Sequence, residues 1–230
     1  MTTTYPARSG PSAVDGVYPP QQDSQLLVET MERTALVPGR RVLDLCTGSG
    51  FVAIAAAEMG AASVTAFDIC PRAVRCSRGN ASVAGVDVDV REGSWTGALS
   101  CGPFDLIVSN PPYVPIAPDA DSGEIPLSAG PEYSWNGGAD GRLILDPLCD
   151  AAPKLLRNGG SMLLVQSAFA DPEGSLDRLR SVGMYAQVIA SQWIPFGPVL
   201  SAQAKWLEDT GRLQRGRTEE ELVVIRADKL

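Results

Sequence analysis

The chain has 230 residues, 44% of them hydrophobic, which suits one α/β domain with a sizeable core. A formal charge of −8 makes nucleic acid a less likely substrate, because phosphate binding needs the opposite charge, and the absence of histidine excludes a Ser-His-Asp triad and any histidine-ligated metal. The five cysteines form no Cys-x-x-Cys pair, and neither a signal peptide nor a membrane-length apolar run is seen, so we expect a cytoplasmic protein with no membrane association and no metal.

Residues 1–16 are rich in Thr, Ser, Pro and Gly and are predicted to form a disordered arm, while residues 17–230 form a single domain. The first predicted helix runs from Asp23 to Leu36, with Asp23 or Ser24 as its cap. Beyond it the predicted strands are Arg41–Leu45, Ser63–Asp68, Val86–Val90, Phe104–Val108 and Met162–Val165. The predicted helices between them are Phe51–Met59, Pro71–Ala84 and Leu143–Leu156, the last stopped by Asn158-Gly159-Gly160. This alternation indicates a doubly wound, mostly parallel sheet.

Two segments interrupt the alternation, and we expect both on the substrate side of the domain. Residues 114–138 are rich in proline and glycine and are too long for an ordinary loop. Residues 193–217 separate a strand near Tyr185–Ala190 from a last strand, Glu221–Arg226, which are predicted to pair as antiparallel edge strands. Residues 193–217 are predicted to form either a recognition flap or a cover for the edge strand.

A glycine turn follows the first strand, with the sequence Asp44-Leu45-Cys46-Thr47-Gly48-Ser49-Gly50. Gly48 and Gly50 let the backbone bend and approach a ligand closely, a pattern shared with dinucleotide-binding folds. Asp44 distinguishes a dinucleotide site from another kind of cofactor site. A carboxylate there would repel a pyrophosphate but suits a cofactor with a sulfonium and an α-ammonium group. Asp68, at the end of the second strand, is placed to accept both hydroxyls of a ribose. The alternative is a structural glycine turn and a helix-capping Asp.

The glycine turn and Asp68 resemble the first motif and the ribose-binding acid of class I S-adenosylmethionine-dependent methyltransferases. The resemblance spans roughly residues 17–192. It implies a Rossmann-like sheet of seven strands with the last strand antiparallel, and S-adenosyl-L-methionine as the cofactor. Residues Cys46–Gly50 would hold the cofactor, with Cys46 and Thr47 acting mainly through their backbone.

The same resemblance places the adenine ring at the end of strand three, which reads Glu92-Gly93-Ser94-Trp95. Ser94 stands where many members of the family have an Asp, and it would hydrogen-bond the adenine amine without the help of a charge. Trp95 would pack against the ring, and burial in the core is the alternative for this side chain.

Strand four runs into Ser109-Asn110-Pro111-Pro112-Tyr113, the most specific motif of the chain. An amide nitrogen attacks a methyl sulfonium only when both of its N–H bonds have acceptors, because its lone pair is otherwise delocalised into the carbonyl. The side-chain oxygen of Asn110 and the carbonyl of Pro111 supply two acceptors, and Pro111 and Pro112 stiffen the loop. Tyr113 offers a flat face to the acceptor, so the rate gain comes from orientation. The alternative is a proline-rich turn with Tyr113 as a packing residue.

Asn-Pro-Pro-Tyr occurs in two groups of class I enzymes, the protein glutamine N5-methyltransferases and the adenine N6-methyltransferases of nucleic acids. Residues 17–24, Val-Tyr-Pro-Pro-Gln-Gln-Asp-Ser, and residues 135–141, Trp-Asn-Gly-Gly-Ala-Asp-Gly, resemble the HemK-type release-factor glutamine methyltransferases. No N-terminal helical domain precedes Val17, so the chain is more similar to the short form of this family. This resemblance leaves open whether the chain requires a small activating partner protein. The resemblance implies a protein substrate, with a release factor as the first candidate.

Three other functions fit the sequence. An adenine N6-methyltransferase would have to capture a base against Tyr113. Its substrate would meet Asp119, Asp121, Glu124 and Glu132, unless the arginines at 212, 215 and 217 fold across the entrance. A small-molecule N-methyltransferase and a catalytically idle binding protein that keeps the fold are the remaining alternatives.

Overall fold

The computed structural model describes residues 16–118, 125 and 129–230. The predicted disordered arm lies outside the described residues except for Gly16, and so do the predicted entrance acids Asp119, Asp121 and Glu124. Within the described ranges, no helix is long and apolar enough to cross a membrane.

Seven strands of the described residues form one sheet in the order β3-β2-β1-β4-β5-β7-β6. Their bounds are β1 Arg41–Leu45, β2 Ser63–Asp68, β3 Asp89–Glu92, β4 Phe104–Ser109, β5 Leu156–Ser167, β6 Met184–Pro195 and β7 Glu219–Lys229. The pairings from β3 to β5 are parallel, whereas β7 is antiparallel to both of its neighbours, β5 and β6. The predicted Rossmann-like sheet with an antiparallel last strand is therefore confirmed.

Helices cover both faces of this sheet, as the almost entirely buried sequences of β1 and β4 require. Their bounds are α1 Gln22–Thr34, α2 Phe51–Glu58, α3 Pro71–Ala84, α4 Trp95–Ala98, α5 Leu145–Leu155, α6 Pro172–Ser181 and α7 Pro198–Asp209. One large apolar core lies between the layers and includes Leu27, Leu43, Ile107 and Leu164, all fully buried. Because β1, β2 and β4 are parallel, their carboxyl ends meet at one edge, where the predicted cofactor and catalytic motifs come together.

Four details of the predicted elements were wrong. The last two strands are not both at the edge, because β7 inserts between β5 and β6. The N-cap of α1 is Gln21, without a side-chain cap, since Asp23 is bonded to tyrosines instead. Asn158-Gly159-Gly160 lies within β5, because α5 already ends at Leu155. Finally, β3 begins at Asp89, where its register with β2 starts, rather than at Val86.

Candidate active site

A cavity opens at the carboxyl ends of β1, β2 and β4, with an empty volume of about 1000 Å³ that includes solvent at its mouth. Its position beyond the carboxyl ends of the strands is where α/β sheets bind their ligands. The structure brings most of the predicted site residues to its wall, namely Asp44, Cys46, Thr47, Gly48, Ser49, Asp68, Ser94, Trp95, Asn110 and Pro112. Gly50, Pro111 and Tyr113 are not among its lining residues. We call this space the first cavity.

The glycine turn between β1 and α2 is shaped by three residues with positive φ, namely Cys46 at 63°, Gly48 at 56° and Gly50 at 85°. A left-handed conformation is uncommon for a cysteine, so the loop constrains the backbone that approaches the cavity. Burial raises the pKa of the Cys46 thiol, which keeps it protonated. Gly50 has a packing role that the sequence did not reveal, because a Cβ there would lie 2.4 Å from Ser77 Oγ on α3.

The Asp44 carboxylate is the feature of the first cavity that selects the charge of a ligand. It is 1% exposed, and Thr47 Oγ1 donates a hydrogen bond of 2.6 Å to its Oδ2. Burial raises the pKa of Asp44 from 3.8 to about 7. A cation beside it would restore the ionised form, whereas an anionic pyrophosphate would oppose it. The buried Asp44 carboxylate therefore fits the sulfonium and ammonium groups of S-adenosylmethionine.

Asp68 holds the turn and faces the same cavity. Its Oδ2 accepts from the backbone N–H of Gly48 and its Oδ1 from that of Cys70, each at 2.9 Å. Burial raises the pKa of this carboxyl as well. Each oxygen keeps a second lone pair, so both can still accept from the hydroxyls of a ribose.

The end of the first cavity assigned to adenine combines predicted and unpredicted residues. Trp95 packs against the main core and also lines the cavity, while its packing against adenine stays a prediction. Ser94 Oγ caps α4 by accepting from Thr96 N at 3.3 Å. Ile69 is 64% exposed and lines the cavity directly after Asp68, which gives a flat ring an apolar wall. An apolar residue after a strand-end acid is the signal that would have found it.

The segment ahead of α1 forms another wall that we did not assign to the cofactor from the sequence. Val17, Tyr18, Pro20 and Ser24 line the first cavity, and Ser24 Oγ accepts a 3.1 Å hydrogen bond from Asn110 Nδ2. The resemblance in residues 17–24 was the available signal. This segment thus contacts the Asn110–Tyr113 loop as well as the first cavity.

Tyr113 points away from the first cavity and is held by a buried carboxylate. It is 8% exposed, and its hydroxyl donates to Asp23 Oδ2 at 3.0 Å. The Tyr18 hydroxyl donates to the same oxygen at 3.0 Å. Burial and the nearby carboxylate raise the pKa of both phenols well above the ordinary value, so both remain donors.

A second cavity, with an empty volume of about 780 Å³, lies on the other side of the Asn110–Tyr113 loop. Its wall includes Tyr18, Asp23, Tyr113, Trp135, Phe196 and Glu220. Tyr18 borders both cavities. Burial raises the pKa of Glu220 to about 7, and the wall residues named here are acidic or aromatic.

The two predicted insertions pack against each other beside the second cavity. Val199 of α7 shares a small apolar cluster with Ile116 and Trp135, and Gln203 Oε1 accepts from Ala117 N at 3.1 Å. The segment at 193–217 comprises the end of β6, α7 and the turn before β7. β6 is the edge strand and Phe196 lines the second cavity, and the two predicted roles of this segment, recognition flap and edge-strand cover, stay predictions.

The glycines of residues 135–141 hold the catalytic loop. A Cβ on Gly137 would lie 2.8 Å from backbone atoms of Tyr113, and one on Gly141 would lie 2.5 Å from its carbonyl oxygen. Val114 N donates to Trp135 O and Gly137 N to Val114 O, each at 2.9 Å. Only residues without a side chain allow this approach, which explains the motif physically.

Two of the three arginines at 212–217 are committed to stacking. The guanidinium of Arg212 lies 5.2 Å from the Trp206 ring centroid and also donates to Ala139 O. That of Arg217 lies 4.7 Å from the Trp193 ring and 5.3 Å from the Phe169 ring. Both charges therefore stabilise α7 and its surroundings rather than forming a free basic patch.

The seven-stranded sheet, the acid-flanked glycine turn and the Asn-Pro-Pro-Tyr loop define a class I S-adenosylmethionine-dependent methyltransferase. Residues 16–120 match the family described as "Methyltransferase small domain". The chain is 30% identical to the putative protein N5-glutamine methyltransferase of Methanocaldococcus jannaschii, over 82% of this chain and 91% of that protein. It belongs to the HemK-type protein N5-glutamine methyltransferase family.

Two further similarities support the family and the fold. The release factor glutamine methyltransferase of Deinococcus radiodurans is 37% identical over 74% of this chain, which spans 60% of that protein's length. The E. cuniculi Mtq2–Trm112 complex, described as responsible for methylation of the eRF1 translation termination factor, has a similar fold with a TM-score of 0.62 at 22% identity. That match covers 94% of this chain and 99% of the solved chain.

Proposed function

We propose that the chain methylates the side-chain amide of a protein glutamine, and that the protein is a peptide chain release factor. The observation that carries this proposal is the position of the Asn110–Tyr113 loop between two cavities. Asn110 lines the first cavity, which fits the cofactor, and Tyr113 lines the second. The proposal therefore places the methyl donor on the Asn110 side of this loop and the acceptor on its Tyr113 side.

The proposed chemistry needs orientation and no protein nucleophile. S-adenosylmethionine, when bound, supplies a methyl group on a sulfonium. The Asn110 side-chain oxygen and the Pro111 carbonyl accept the two N–H bonds of the glutamine amide, so the nitrogen lone pair faces the methyl carbon. The nitrogen forms a bond to carbon as the carbon–sulfur bond breaks, and it then loses a proton to solvent. The role of Tyr113 is to border the acceptor with its ring.

The charge of the second cavity favours a glutamine over a nucleotide. Asp23 and Glu220 are both buried in its wall, at 4% and 7% exposure. A neutral amide tolerates this environment, whereas a phosphate would be repelled by it. Arg212 and Arg217 are held in stacking contacts. The similarity to the Deinococcus and Methanocaldococcus proteins supports the same acceptor.

The acceptor can be tested with the purified chain and labelled S-adenosylmethionine. Release factor, the same factor with the glutamine of its Gly-Gly-Gln tripeptide changed to alanine, total RNA and DNA are offered in parallel. We expect label in the intact factor and none in the alanine variant. Label in nucleic acid as N6-methyladenine, falling steeply with salt, would overturn the proposal.

A small activating subunit is part of the same proposal, because the E. cuniculi neighbour was solved together with Trm112. The assay is therefore repeated with cell extract added to the purified chain. Methylation of release factor that requires the extract would assign such a partner to this chain. Full turnover by the purified chain alone would remove it.

A further inference from the structure

A chain of hydrogen bonds links a buried carboxylate to the catalytic amide. Asp23 is 4% exposed, and its Oδ2 accepts from the hydroxyls of Tyr18 and Tyr113, each at 3.0 Å. Its Oδ1 accepts from Ser24 N at 2.6 Å and from Ser24 Oγ at 3.3 Å. Ser24 Oγ in turn accepts from Asn110 Nδ2 at 3.1 Å. Four groups thus donate to this one carboxylate, and the Asn110 amide is linked to it through Ser24.

The direction of these bonds follows from the chemistry of each group. A carboxylate accepts and cannot donate, so the Ser24 hydroxyl proton is directed to Asp23. Ser24 Oγ then has only lone pairs left for Asn110. The Asn110 amide must therefore turn its NH₂ group toward Ser24, because its oxygen would face a second acceptor there. As a result, Oδ1 is the end of the amide that remains for a ligand at the cavity.

We propose that Asp23 and Ser24 are positioning residues that hold the Asn110 amide with its oxygen toward the acceptor. This rests on the proposed function, in which Oδ1 accepts an N–H bond of the glutamine amide. An inverted Asn110 would present its own NH₂ group to that N–H bond, and the acceptor would lose its orientation. Asp23 acts through Ser24 and touches neither reactant.

Two substitutions at Ser24 separate positioning from packing. In Ser24→Ala the amide loses its acceptor, so kcat should fall at least about tenfold while the Kd for S-adenosylmethionine changes less than about threefold. Ser24→Thr keeps the hydroxyl and should restore kcat to within about threefold of the wild type. Asp23→Ala removes the acceptor of the Ser24 hydroxyl proton, so the hydroxyl can turn toward Asn110 and the Asn110 amide can invert. We expect kcat to fall in this variant although Ser24 is intact.

Thr30→Val is the matched control, because it removes another buried hydroxyl from α1, one that donates to Leu26 O at 2.7 Å away from the catalytic loop. We expect it to lower the unfolding midpoint about as much as Ser24→Ala and to leave kcat unchanged. A Ser24→Ala variant with normal kcat, or with a weakened cofactor Kd as its only defect, would overturn the proposal. So would an Asp23→Ala variant with the wild-type kcat.

A second readout needs no methyl acceptor. The side-chain NH₂ resonances of Asn110, assigned by their loss in Asn110→Asp, should exchange slowly with solvent in the wild type and in Ser24→Thr. In Ser24→Ala they should exchange rapidly. Equal exchange in all three proteins would refute the positioning role. Slow exchange in the wild type combined with no methylation of release factor would instead refute the proposed acceptor and leave the Asn110 orientation standing.

Discussion

The close approach of α2 to α3 at Gly50 can be tested by a double-mutant cycle. Gly50 has φ of 85°, and a Cβ built on it would lie 2.4 Å from Ser77 Oγ and 3.2 Å from Ser77 Cα. Ser77 is fully buried, and its hydroxyl has no hydrogen-bond partner among the described residues. The position of Ser77 therefore leaves no room for a side chain at residue 50, where the glycine turn becomes α2.

The magnitudes follow from two separate costs. A left-handed conformation costs a non-glycine residue about 1–2 kcal/mol, and overpacking a rigid site adds about 1–3 kcal/mol. We therefore expect Gly50→Ala to lower the free energy of unfolding by about 2–5 kcal/mol. Ser77→Ala removes a hydroxyl without a partner and should cost less than about 1 kcal/mol. In the double variant the contact with Oγ is gone and the contact with Cα remains, so the coupling should be about 1–2 kcal/mol.

Urea denaturation of the four proteins measures this coupling. Gly48→Ala is the matched control, because Gly48 has φ of 56° in the same turn and a Cβ there meets nothing within 4 Å. It should cost only the backbone strain of about 1–2 kcal/mol. Additive costs for Gly50→Ala and Ser77→Ala, within about 0.5 kcal/mol, would refute the packing argument.

Four further predictions concern the first cavity. Since the pKa of Asp44 is about 7, its ionised fraction rises roughly eightfold between about pH 6 and pH 7.5. Calorimetry should therefore show that S-adenosylmethionine binding tightens by about that factor over this range. The affinity of Asp44→Asn should not change with pH, and a pH-independent affinity in the wild type would contradict the charge argument. The same shift means that the folded state holds the proton more tightly than the unfolded state, so the free energy of unfolding should fall as pH rises from about 4 to about 7, and Asp44→Asn should reduce this slope in urea titrations. Asp68→Ala should weaken S-adenosylmethionine binding by about 1–3 kcal/mol through lost ribose hydrogen bonds, and binding of NAD in place of S-adenosylmethionine would show the cofactor assignment to be wrong. Asn110→Ala should lower turnover at least about a hundredfold with a modest change in cofactor affinity, and near-normal turnover in a methylation assay would refute the mechanism.

Elements with strong local signals were predicted to the residue. The strands Arg41–Leu45 and Ser63–Asp68 and the helix Pro71–Ala84 have the predicted bounds, because apolar runs and a proline in the first helical turn define them locally. The strand β3 differs, since its position follows from pairing of Thr65 with Asp89 rather than from the valines before it. Pairing is a property of the sheet, and a single segment does not encode it.

The candidate site shows the same division between local and distant information. Short motifs located Asp44, Asp68 and Asn110, because each lies within or directly after the last two residues of a strand, and these strands end at the same edge of the sheet. The bond from Tyr113 to Asp23 joins residues 90 positions apart, and no local pattern predicts it. The preference of Asp and Ser for helix N-caps led to the prediction that Asp23 or Ser24 caps α1. In the folded chain the Asp23 carboxylate accepts hydrogen bonds from two tyrosine hydroxyls instead.

The insertion of β7 between β5 and β6 has a consequence for the order in which the molecule is built. When synthesis from the N-terminus has reached residue 195, β6 has been made but its neighbour in the sheet has not. β6 contacts the sheet only through β7, so its backbone groups stay unpaired until residues 219–229 leave the ribosome. The nascent chain therefore holds a twelve-residue strand without its partner while residues 196–218 are made, which leaves this strand open to non-native pairing during that interval.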